Sequence, residues 1–196
     1  MNLHHTFSTN PPSRGFTLIE LMVTIAIAAI LLMIGIPSFQ SAIASAQLTT
    51  QSNNFLTAVA TARSEAIKNN TQAVICRSAN GAQIGAQCRT GTTWADGWIV
   101  FVDQAPTATP PQVGAEDVIV SVGQAVNGTS IVGSANVANQ LRFRADGTLN
   151  GLGGTIRVCK PTTAVPENAR DLVINTVGRT RVARVAPMPA GTCPAP

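Results

Sequence analysis

Three arginines near the C-terminus are the side chains of this sequence best suited to chemistry with a partner. The run Gly178-Arg179-Thr180-Arg181 sets two guanidinium groups two residues apart, and Arg184 adds positive potential. On a strand, residues i and i+2 project from one face. A guanidinium carries forked donors on a permanent charge, which suits the oxygens of a phosphate. The charge around them is one-sided: from Arg142 onward there are eight basic and three acidic residues, and no acid follows Asp171. Between Phe16 and Leu141 the balance is reversed, with four basic and six acidic residues. The C-terminal edge is therefore a candidate surface for a polyanion. The competing reading is a solvated strand end.

Other reactive residues point away from catalysis. The histidines, His4 and His5, both stand in the first few residues, and nothing after them can supply an imidazole for acid–base work near neutral pH. No phosphate-binding glycine loop and no nucleophile motif occurs. Asp96, Asp103, Glu116 and Asp117 lack the spacing of a calcium loop. No metal and no cofactor is expected. Trp94 and Trp98 are expected to pack in the core or at its edge. The four cysteines, Cys76, Cys88, Cys159 and Cys193, include no C-x-x-C pair and have no neighbouring histidine, which argues against zinc and against a thioredoxin-like site. Four cysteines permit three pairings. In an exported domain, Cys76–Cys88 and Cys159–Cys193 are favoured because each closes a local loop, worth roughly 3 kcal/mol in the chain-entropy model. Four buried thiols are the alternative.

The elements that must position these groups begin with an apolar segment. From Leu21 to Phe39 the chain carries no charge, and only Thr24, Gly35, Pro37 and Ser38 interrupt its apolar character. A helix of about 20 such residues spans a bilayer core and satisfies its own backbone groups there. A secretory signal has a shorter apolar core followed by its cleavage site. Here the distinctive junction, Gly15-Phe16, precedes the apolar run, so a cut there leaves the helix on the product. Glu20 is out of place at the start of a membrane helix, where an acid costs about 2.5–3.5 kcal/mol at the centre on insertion scales. It is either hydrated at headgroup level or paired with the amine of a neighbouring subunit.

The run Gly15-Phe16-Thr17-Leu18-Ile19-Glu20 resembles the signal of type IV prepilins and type II secretion pseudopilins. That resemblance implies cleavage after Gly15 by a membrane aspartyl peptidase, methylation of the new N-terminal Phe16, and insertion into a filament guided by Glu20.

Pro37 removes a helical donor and is expected to kink or locally melt the helix, with Gly35 adding freedom. Helical spacing then resumes. Leu48, Phe55, Val59, Ala62 and Ala66 mark one apolar face, with Gln51, Asn54, Arg63 and Lys68 on the other. The helix is expected to end at Asn69-Asn70; if continuous from Phe16 it is about 80 Å long. After it, strands are predicted at Gln72–Arg77, Gly97–Asp103, Val118–Val122, Gln140–Arg144, Thr155–Lys160 and Leu172–Val177, with a hairpin signal at Asp146-Gly147. Val122–Asn139 reads as a loop or an extra hairpin.

Leu48–Lys68, with Ala62-Arg63-Ser64-Glu65-Ala66-Ile67, together with Trp94, Gly97-Trp98-Ile99-Val100-Phe101-Val102-Asp103 and Leu141-Arg142-Phe143, resembles the GspH/FimT family of minor pilins and pseudopilins. The implied fold is α+β, a long N-terminal helix packed on a small antiparallel two-sheet β domain. Its organisation is expected to be a leader at 1–15, a transmembrane helix at 16–39, an amphipathic continuation at 40–70 and a periplasmic head at 71–196. The expected place is a Gram-negative inner membrane, and the expected partners are other pilins or pseudopilins, prepilin peptidase and membrane lipid. The Gly178-Arg179-x-Arg181 pattern is similar to one linked to DNA capture in the pilus-associated branch. DNA, bound without sequence preference, is thus a candidate partner, with Arg179, Arg181 and Arg184 as its contacts. The other system open to such a subunit is type II secretion, with no DNA binding.

Overall fold

The computed structural model describes residues 15–79, 85–91, 93–106, 111–161, 168–189 and 191–196. The leader up to Arg14, with His4 and His5, lies outside the described residues. The chain divides into two compact units, the first ending at Phe39 and the second beginning at Gln40.

Helix α1 covers Leu18–Asn69. Thr17 caps its start: the Thr17 hydroxyl accepts the Glu20 backbone N–H at 3.2 Å, which satisfies one of the donors a helix leaves open at its first turn. In the first unit every described residue is exposed. Helix α1 is long and apolar enough to cross a membrane by length and composition. The helix is continuous through Pro37, so the local melt expected there does not occur. Proline leaves the Met33 carbonyl without its helical donor, a cost that a single position in a long helix can absorb.

In the second unit, α1 ends as its sequence predicts. Asn70 adopts φ 50, its N–H reaches the Ile67 carbonyl, and the Thr71 N–H reaches that of Ala66. This is a Schellman closure with asparagine where glycine is commonest.

Eight strands follow: β1 (Gln72–Arg77), β2 (Trp98–Asp103), β3 (Val118–Gly123), β4 (Ser130–Gly133), β5 (Gln140–Phe143), β6 (Gly154–Cys159), β7 (Ala169–Ile174) and β8 (Thr180–Arg184). They form two four-stranded sheets in the orders β3-β2-β1-β5 and β4-β6-β7-β8. All pairs are antiparallel. A long helix and two small antiparallel sheets is the architecture expected from the sequence. The predicted hairpin is present: Phe143 bridges Leu149 across a turn in which Gly147 takes φ 75.

The main core joins the second half of α1 to both sheets. Leu48, Phe55, Val59, Ala62 and Ala66 are all buried there, with Ile75, Trp98, Phe143, Ile156 and Leu172. Phe55 meets Trp94 edge to face and Trp98 at a tilt, each at 5.2 Å between centroids. Trp94 also donates its indole N–H to the Val137 carbonyl at 3.2 Å, so both tryptophans are core packing. A second cluster of Val74, Cys76, Ala86, Ile99 and Phe101 covers the other face of the first sheet. Its central strands β1 and β2 are thus buried on both faces, which explains why β2 reads as an unbroken apolar run rather than an alternating one.

Disulfides join Cys76 to Cys88 and Cys159 to Cys193. The first closes the segment after β1 over the outer cluster. The second ties the C-terminal segment to the end of β6.

Candidate functional site

Strand β8 is the outer strand of the second sheet, and its register sorts the three arginines by face. Val173 faces Arg181 across the β7–β8 pair, and Asn175 accepts the Arg179 backbone N–H on its side-chain oxygen at 2.8 Å. Side chains alternate along a strand, so Arg179 and Arg181 share a face with Val173 and Asn175. These four residues line a shallow hollow of about 320 Å³. Arg184 faces Arg170 instead, and lies on the opposite face with Leu172 and Ile174. The geometry brings together Arg179 and Arg181 and separates Arg184 from them, because 184 differs from 181 by an odd step along the strand.

Electrostatics on this face favour a free positive charge. Asp171 is the last acid of the sequence, and it is committed elsewhere. Its carboxylate forms a two-pronged pair with Arg157, Nε to Oδ1 at 2.7 Å and Nη2 to Oδ2 at 2.8 Å. That hydrogen bonding holds the Arg157 guanidinium above its usual value against the opposing effect of burial. Arg157 Nη1 also donates to the Pro194 carbonyl at 3.2 Å. The C-terminal segment therefore lies against one end of the face, while Arg179 and Arg181 stay exposed at the other.

The turn before β8 explains the glycine that precedes Arg179. Gly178 is buried with φ 76, the left-handed region that favours glycine. It lies against Arg63 of α1, whose Nη1 donates to the Gly178 carbonyl at 3.5 Å. Arg63 was expected only as part of a polar helix face; nothing in its spacing signals that the β7–β8 turn closes over it.

At the other end of the chain, Gly15, Phe16 and Glu20 are all exposed. Thr17 and Glu20 share the helix cap described above, a structural use of this segment that the apolar pattern did not disclose. Among the described residues, no group of three or more His, Cys, Asp or Glu side chains could hold a metal. Asp96, Asp103 and Asp117 have local duties instead. Asp96 accepts from the Thr93 N–H and hydroxyl, Asp117 accepts from the Gln104 and Gly114 N–H groups, and Asp103 accepts from Gln72.

A family model described as "Type II transport protein GspH" matches residues 51–178, well over half of the chain. The chain belongs to the GspH family. A second model, for the prokaryotic N-terminal methylation motif, matches residues 10–36 and so contains the Gly15-Phe16 junction and Glu20. The GspH match ends at Gly178, one residue before the arginine pair. Prepilin peptidase-dependent protein D of Escherichia coli (strain K12) is 56% identical over 43 residues, which are 22% of this chain and 30% of that protein. The match thus spans under a third of that relative. Among solved structures, the type IV minor pilin FimU of Pseudomonas aeruginosa PAO1 superposes with a TM-score of 0.53 at 19% identity, covering 74% of this chain and 96% of that one. A second crystal form of FimU gives 0.52 at 18% identity, covering 72% and 98%. At that identity the likeness is one of fold. Members of the GspH family are minor pilins or pseudopilins of type IV pili or type II secretion systems, structural subunits rather than enzymes, and this chain is one of them.

Proposed function

We propose that the chain is a minor pilin of a type IV pilus whose head captures DNA through Arg179 and Arg181. Prepilin peptidase cuts after Gly15, Phe16 becomes the N-methylated terminus, and Glu20 pairs with a neighbouring subunit's amine as the helix enters the filament. Residues 16–39 anchor the protein in the inner membrane lipid beforehand, with the head from residue 71 onward in the periplasm. Support for the anchor comes from the exposed apolar helix and the methylation-motif match.

The observation that carries the DNA reading is the pairing of Arg179 and Arg181 on one face of an outer strand, with Asp171, the acid that precedes them in sequence, neutralised by Arg157. Two forked cations that hold no carboxylate among the described residues suit phosphates and read no bases. Arg184 contributes only to the general field. The test uses the full chain in nonionic micelles and a labelled duplex, with affinity followed across salt concentration. The native protein should bind with a log–log slope of about −2, two phosphates at about −0.9 each. Arg179→Ala/Arg181→Ala should abolish binding. Equal binding by the native and double-variant proteins would sink the site.

A second reading is favoured by the family description itself: a type II secretion pseudopilin without DNA binding. Deletion of the gene separates the two, since loss of transformation supports the first and loss of protein export the second.

A further inference from the structure

The β7–β8 turn approaches α1 more closely than side chains would permit. A Cβ on Gly178 would lie 2.4 Å from the Gly147 carbonyl oxygen and 3.2 Å from Arg63 Nε. A Cβ on Gly147 would lie 2.7 Å from Ile67 Cδ1 and 3.1 Å from Arg63 Nε. Two glycine turns thus close on one arginine of the helix. Its Nη1 reaches the Gly178 carbonyl only at 3.5 Å, and its buried Nε has no hydrogen-bond partner among the described residues. The ion pairs among those residues, Lys68–Glu65 and Arg157–Asp171, do not involve it. A half-buried guanidinium with no carboxylate is a charge that an incoming anion stabilises.

Beside Arg63 runs an open groove of about 620 Å³, within the range of about 300–1,000 Å³ typical of sites for small organic groups. Leu56, Val59 and Ile67 of α1 give it apolar walls, and Arg179 and Thr180 form its opposite lip. Arg179 borders both this groove and the hollow it shares with Arg181. The groove on the helix side of β8 and the hollow on its outer face therefore meet at Arg179, and Gly178 is the positioning residue of the turn between them.

We infer that Arg63 is a third cation of the anion site and that the groove beside it takes an unstacked base, so that the head prefers single-stranded nucleic acid to duplex. The inference rests on the phosphate-binding reading of Arg179 and Arg181. A duplex keeps its base faces inside its own stack and can offer this surface only phosphates. A single strand offers phosphates and bases together, and the free base faces gain from apolar walls and from stacking on guanidinium planes.

The test measures fluorescence anisotropy of a labelled oligothymidylate and of a duplex of equal length on the full chain in nonionic micelles. The native protein should bind the single strand about tenfold tighter. Arg63→Gln should weaken single-strand binding about tenfold and make its log–log salt slope shallower by about 0.7, the contribution of one phosphate. Ala60 is exposed and lines the groove; Ala60→Leu should fill it without disturbing the core, removing the single-strand preference while leaving the salt slope unchanged. Equal affinity of the native protein for both forms overturns the inference, as does an Ala60→Leu protein that keeps the full preference. In either case the phosphate reading survives if Arg179→Ala/Arg181→Ala abolishes binding. Absence of native binding to either form removes both.

Discussion

At the residue scale, Asp103 shows how this head holds an acid for structure rather than chemistry. It is buried at the end of β2. Gln72 donates to its Oδ2 at 3.2 Å, Asn150 donates to Gln72, and Arg144 donates to Asn150. Burial, followed by repulsion from Asp117, raises its pKa above the ordinary carboxylate value of 3.8, and the hydrogen bond from Gln72 only partly offsets them. A raised folded pKa means that the native state holds the proton to higher pH than the unfolded chain does. Between 3.8 and the raised value the unfolded chain ionises first, so stability contributed by this group falls as pH rises through that window and stays reduced above it. Asp103→Asn removes the charge while keeping an acceptor for Gln72. The variant should melt at a higher temperature than the native protein at pH 7, and the difference should vanish below the unfolded carboxylate range. Thermal melts followed by circular dichroism at several pH values test this; a variant less stable at neutral pH would refute it.

At the element scale, the apolar stripe of α1 was legible because its period matches a helix, and its buried members are the ones the period selects. Phe55 is fully buried between Trp94 and Trp98, so Phe55→Ala should cost about 3–5 kcal/mol, the range for emptying an aromatic core site. Chemical denaturation midpoints measure this directly, and a loss below about 1 kcal/mol would mean that the aromatic cluster collapses to refill the space. The first sheet was equally legible, since β1 and β2 are buried along nearly their whole length. The second sheet was legible only in part: β6, Gly154–Cys159, falls on the expected Thr155–Lys160, but its neighbours are less plain. Strand β4 is only Ser130–Gly133, too short to alternate. Strand β8 carries arginines at Arg181 and Arg184 on an outer edge where both faces reach solvent, so no apolar period marks it. Strand β7 begins at Ala169 rather than Leu172: Arg170 and Asp171 look like loop residues, but Asp171 enters the sheet by pairing with Arg157. Its far end stops at Ile174, because Asn175 to Gly178 form the turn. The arginine pair could be read from the Gly-Arg-Thr-Arg run. The place of Arg63 beside it could not, because that contact joins residues 115 apart through two glycine turns that leave no periodic trace.

At the scale of the whole molecule, the C-terminal segment completes the second sheet rather than trailing from it. Cys193 is bonded to Cys159, 34 residues earlier. The Pro194 carbonyl accepts from Arg157, and Met188 exchanges two hydrogen bonds with the buried Asn168 side chain, at 2.8 and 3.0 Å. The disulfide closes a loop that holds β7 and β8, and in the chain-entropy model a loop of that length stabilises by about 4 kcal/mol. Cys159→Ser/Cys193→Ser should therefore lower the melting temperature, and do so more than Cys76→Ser/Cys88→Ser, whose loop spans 12 residues and is worth about 3 kcal/mol. The two losses should also differ in kind. Strand β8 remains paired to β7 by its own ladder, so the Cys159/Cys193 variant should retain the Arg179–Arg181 face while its last residues become open to protease. Limited proteolysis with mass spectrometry should then show cleavage beyond Val185 before any cut in the sheet. If first cleavage instead falls within β8, the hairpin that carries the arginines depends on the disulfide, and anion binding should be lost on reduction along with the fold of that edge.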